Sequence, residues 1–179
     1  MRHIGWPLVA VLLFVPTTTL AQSEELIASA MSSAPASVGE NATVMAWDMS
    51  VVREGTNGWT CFPDNPDTPG NDPMCLDGEW LKWADAWMNN TEPSIGQIGF
   101  GYMLQGGTPE SNVDPYAEGP TADNEWMSEP GPPHIMMIVP DGEWLKGLPT
   151  TPDGGGPWVM WKDHALVHVM IPTTRKAPH

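Results

Sequence analysis

The chain has 179 residues, with 22 acidic against 7 basic side chains and a formal net charge of −15. That balance repels nucleic-acid phosphates and anionic lipid headgroups, so neither is an expected partner. Twenty prolines and eighteen glycines favour many turns and short elements over long helices.

Arg2 and His3 precede an almost wholly apolar run from Ile4 to Val15, and small residues at Thr19 and Ala21 stand three and one places before Gln22. This is the pattern of a cleaved secretory signal peptide over residues 1–21, and the run is too short for a membrane span. The mature chain is then expected in the periplasm or outside the cell, with no transmembrane segment. The 158 residues that remain suit one domain with a proper core. Residues 22–41 read as an N-terminal arm or short helix starting at Ser23, and residues 42–179 as a β-rich domain.

Thr43 to Glu54 alternates, with Met45, Trp47, Met49 and Val51 on one side, and predicts one strand. Asn57-Gly58 then predicts a hairpin turn into a strand over Trp59–Phe62. Cys61 and Cys75 are the only cysteines. In an exported protein they are expected to form a disulfide around a Pro/Asp-rich loop that cannot pack by itself, stabilising by about 3 kcal/mol on a chain-entropy treatment. Trp80, Trp83, Ala84 and Trp87 recur at helical spacing behind Asp77 as N-cap, and Pro93 prevents continuation. Ile95 to Gln105 predicts a strand with Ile98, Phe100, Tyr102 and Leu104 on one face, and Gly96, Gly99 and Gly101 admitting a close neighbour.

Residues 106–133 form a long, acidic, aperiodic stretch, expected to be a functional lid or contact loop, or else a drape over the surface, and to tolerate trimming of residues 110–128. His134–Val139, Trp158–Trp161 and Leu166–Ile171 predict three strands, the last two as a hairpin. The fold class expected is therefore α+β and β-rich: a single domain with an antiparallel sheet, one short Trp-rich helix and long Gly/Pro loops.

The hexapeptide Asp-Gly-Glu-Trp-Leu-Lys occurs at 77–82 and again at 141–146. It predicts a capped helical turn used twice, with Trp and Leu packing inward. Two groups of loop oxygens, Asp64, Asp67, Asn71 and Asp72, and Asp114, Glu118, Asp123 and Glu125, lack the spacing of a helix-loop-helix calcium site and read as solvated acid. No nucleophile elbow, zinc-protease motif, phosphate loop or dinucleotide fingerprint is present.

The sharpest chemical pattern is His-x-Met on two strands. His134 with Met136, and His168 with Met170, share strand faces, with His164 as a further ligand should its strand extend. Imidazole with thioether favours copper, especially Cu(I). Trp126, Trp158 and Trp161 are candidates for stacking on a ligand, Trp158 and Trp161 being expected on opposite strand faces. The leading functional reading is an exported, non-enzymatic binding or structural domain for a small molecule, glycan or protein. A copper-binding protein is the alternative, and an acid/base hydrolase using paired carboxylates a third.

Overall fold

A computed structural model describes residues 18–173, so most of the expected signal peptide lies outside the described residues. Helix α1 (Thr18–Ser32) begins ahead of Gln22 and is followed by a single turn, α2 (Ala36–Gly39). Eight strands build the main sheet: β1 (Thr43–Met45), β2 (Val51–Arg53), β3 (Thr60–Phe62), β4 (Met74–Leu76), β5 (Gly99–Met103), β8 (His134–Ile138), β9 (Trp158–Met160) and β10 (His168–Pro172). Their order across the sheet is β2-β1-β3-β4-β5-β8-β10-β9. Helix α3 (Gly78–Met88) crosses from β4 to β5, and a two-stranded ribbon, β6 (Glu110–Ser111) with β7 (Trp126–Met127), lies inside the long loop. No described helix is long and apolar enough to cross a membrane.

The β-rich α+β architecture is as expected, but the sheet is mixed. β1 pairs parallel to β3, so the Asn57-Gly58 turn does not close a hairpin. Gly58 still takes the left-handed φ of 78° that the turn needs. The strand expected over Thr43–Glu54 is two strands, paired antiparallel around a turn at Ala46–Ser50. Asp48 accepts hydrogen bonds from both the Ser50 amide and hydroxyl, and this local bonding overrides the alternation. The disulfide is present and joins Cys61 to Cys75 directly across the β3–β4 pair.

The sheet is covered on both faces. On one, α1 and α2 enclose Ala30, Ala34, Ala42, Val44 and the disulfide. On the other, α3 lays Trp80, Trp83 and Ala86 over Leu76, Met103, Met136, Met160 and Met170. The Asp77 carboxylate caps α3 through the amides of Glu79 and Trp80, and its second oxygen accepts the Phe100 amide of β5. The glycines of β5 permit the close approach: a Cβ on Gly99 would lie 2.7 Å from the Cβ of Glu79, and one on Gly101 2.9 Å from the Met136 methyl.

The second hexapeptide departs from the first. Asp141 caps a 3-10 turn over Gly142–Leu145, and Leu145 is buried, but Trp144 is 63% exposed. One turn has no second row of side chains to bury a tryptophan against. In both copies the lysine pairs with the glutamate three residues before it.

Candidate functional site

Antiparallel pairing places β8 between β5 and β10, with Met136 opposite Met170 and Met103 opposite His134. His134, Met136, His168 and Met170 therefore share the sheet face beneath α3. All four line one cavity of about 250 Å³. Its walls are apolar and aromatic: Phe62, Met74, Leu76, Trp80, Trp83, Met103 and Trp161 complete the interior. The lining also includes Trp47, Met49, Trp87 and Met88, which are exposed and form its mouth.

Both histidines are held in the same tautomer. His134 Nδ1 lies 2.7 Å from the carbonyl of Pro132, and His168 Nδ1 lies 3.0 Å from the carbonyl of Leu166. A carbonyl only accepts, so Nδ1 carries the proton and Nε2 presents a lone pair. Burial keeps both rings neutral: His134 is held below its ordinary range, and His168 is pushed down to about 4, with the nearby His134 adding to the effect.

The two rings do different things. His168 stands edge-on to three indoles, with centroids 5.5 Å from Trp80, 5.4 Å from Trp83 and 4.9 Å from Trp161. His134 sits where Gly107 and Gly131 meet, and these are joined by a 3.0 Å backbone hydrogen bond. A Cβ on Gly107 would be 3.6 Å from His134 Cε1 and 3.9 Å from the Met103 methyl, so both side chains reach that glycine. Along the strands the histidines are offset by four residues, about 13 Å, with Met136 and Met170 between them.

Three buried side-chain polar atoms lack a hydrogen-bond partner among the described residues: Trp80 Nε1, Thr108 Oγ1 and His134 Nε2. All three belong to residues that line this cavity. Glu110 and Asp72 line it as well. Burial, reinforced by the Asp72 charge, pushes the Glu110 carboxyl up to about 7. Burial likewise raises Asp72, whose Oδ1 accepts the Asn65 amide. A second cavity of about 510 Å³ shares Thr108, Glu110, His134 and Met170 with the first and adds Trp126 and Trp158.

Several expected site residues lie elsewhere. His164 is in the β9–β10 turn, where its Nδ1 accepts the Leu166 amide and its ring stands against Tyr116, so it does not reach the cavity. Trp158 and Trp161 are both buried on the same side, because Trp161 leaves the strand at a φ of 53° and swings its ring back under α3. Their indole N–H groups donate to Asn112 Oδ1 and the Ser111 carbonyl. The long loop is therefore part of the core's polar frame and not a detachable lid. Trp126 is half-buried in β7 opposite Ser111.

Asp64 and Asp72 cap each other's loop backbone, Asp72 N donating to Asp64 Oδ1. No described cluster of three or more His, Cys, Asp or Glu side chains is arranged to hold a metal. Glu110, Thr108 and Met103 have no sequence motif to announce them, and the hexapeptide and helical spacing that mark Trp80 point only to packing. Only the pairing of β5 with β8 and the folding of the loop bring them together.

The chain matches no protein-family model, and comparison with curated proteins and with solved structures returned no match.

Proposed function

We propose that the chain is an exported binding protein whose ligand is a small molecule held in the cavity beneath α3. The observation that carries this is the coincidence of the three unpartnered polar atoms with one apolar cavity. An unpaired buried polar group is costly and rare, and ligand pockets are apolar enclosures with a few placed polar groups. Trp80 Nε1–H asks for an acceptor, His134 Nε2 for a donor, and Thr108 Oγ1 can serve as either. The volume is just below that of pockets for drug-sized ligands, so a compact molecule fits. The same carboxylates, Asp72 and Glu110, are what a hydrolytic reading would use, but the predominantly apolar walls suit holding a guest.

The test compares phenol with its near-isostere toluene, followed by quenching of tryptophan emission. A hydrogen bond to His134 Nε2 is worth about 1 kcal/mol, so phenol should bind roughly fivefold tighter. His134→Phe should remove that preference. Equal affinities in the native protein, or no response to either compound, would overturn the reading.

A second reading has its own observation. His134, with Nδ1 pinned to a carbonyl, lies beside Met103 and on one sheet face with Met136 and Met170, a donor set suited to Cu(I). His168 stands four residues further along the strands with its ring against three indoles, so the set is centred on His134. Cu(I) competition against a chromogenic chelator should then be weakened by His134→Ala and untouched by His168→Ala. Equal loss with both variants, or with neither, excludes a site centred on His134.

A further inference from the structure

Two features share the lining of this cavity. One is an aromatic enclosure: Trp47, Phe62, Trp80, Trp83 and Trp161 all line it. The other is a pair of carboxyl groups, Asp72 and Glu110, on the same lining. No hydrogen bond or ion pair reaches the Glu110 carboxyl among the described residues. The four described basic side chains are committed elsewhere. Arg53 binds the carbonyls of Gly39 and Ala42, while Lys82, Lys146 and Lys162 pair with Glu79, Glu143 and Asp163. Two acids therefore face an apolar space without a cation.

We infer that the occupant of this cavity is a small organic cation, an ammonium compound that also carries a hydroxyl or carbonyl. This rests on the binding reading above and names its ligand class. Aromatic faces attract a cation through the ring quadrupole, tryptophan most strongly, and the attraction grows when water is excluded. Glu110 and Asp72 supply the opposite charge. Apolar walls of methionine and indole accommodate alkyl groups on nitrogen, which a hydrated metal ion would not use. The hydroxyl or carbonyl of the ligand accepts from Trp80 Nε1, an atom that no cation alone would satisfy. The unpartnered Nε2 of His134 and Oγ1 of Thr108 supply the independent sign that the space is built for a polar guest.

The experiment titrates the full mature chain, methyl-13C labelled at methionine, with choline chloride. The controls are 3,3-dimethylbutan-1-ol, the neutral carbon isostere of choline, and KCl at matched ionic strength. The inference expects choline to shift the methyl signals of Met74, Met103, Met136 and Met170, with about tenfold higher affinity than the neutral isostere. KCl should leave them in place. Glu110→Gln should reduce choline affinity several-fold and leave the isostere unchanged. If the isostere binds as tightly as choline, or phenol shifts these methyl signals while choline does not, the cation assignment fails and the cavity reading survives. If KCl reproduces the choline shifts, the cavity senses charge alone and the assignment fails. If none of the organic compounds moves these signals, both fail.

Discussion

Replacing Glu110 by glutamine should change how stability depends on pH in a way that a surface acid would not. The Glu110 carboxyl sits at about 7 in the folded chain against an ordinary 4.5. Between those values the folded state holds a proton that the unfolded state has released, so stability falls as pH rises. The shift corresponds to about 3 kcal/mol, lost progressively from pH 4.5 to pH 7. His168 works in the opposite direction. It titrates at about 4 folded against 6.5 unfolded, so its neutral burial is undisturbed above 6.5 and costs stability as pH drops towards 4. The two slopes nearly cancel between pH 4.5 and 6.5, with His134 adding to the histidine side and Asp72 to the carboxyl side. Glu110→Gln removes one arm. Urea unfolding at steps from pH 4.5 to pH 8 should show the variant gaining on the native protein by about 3 kcal/mol across the range. A difference curve that stays flat would show Glu110 to be an ordinary solvated acid and refute the reasoning.

Asp77→Ala should cost about 2 kcal/mol in chemical unfolding, because it removes two cap bonds and the link to Phe100. Asp141→Ala in the repeated hexapeptide should cost under about 0.5 kcal/mol, since it caps one exposed turn. Replacing residues 110–128 by a short glycine linker should abolish cooperative unfolding, because it strips the partners of the Trp158 and Trp161 indoles. A trimmed protein that keeps its thermal midpoint would refute that. The Cys61→Ala, Cys75→Ala double variant should lose about 3 kcal/mol, read from its denaturant midpoint.

Much of the fold was legible because the residues concerned answer to local rules. Asp77 and the Trp80, Trp83, Trp87 spacing mark α3, and period-two patterns mark β5, β8, β9 and β10. The paired cysteines name their own contact. What failed were features decided at longer range. Met45 to Val51 alternates as one strand would, yet Asp48 folds a turn into it. Asn57-Gly58 marks a turn truly but says nothing about which strand the next one joins, and β3 joins β1 in parallel. The loop over 106–133 shows no period because its order comes from single bonds, such as Asn112 to Trp158 and Ser111 to Trp161, that pattern does not reveal. For the site, His-x-Met drew attention to the sheet face that lines the cavity. Periodicity could not show that the two histidines stand at opposite ends of their strand pair, or that Trp80, Thr108 and Glu110 close the same space.

The central claim, that the cavity beneath α3 is a ligand site, is tested most directly by the methionine methyl spectrum of the full chain as phenol is added. The account predicts that the signals of Met74, Met103, Met136 and Met170 move together and saturate at a common affinity, while that of Met31, outside the cavity, stays fixed. Signals that do not move, or that move equally at Met31, would contradict it.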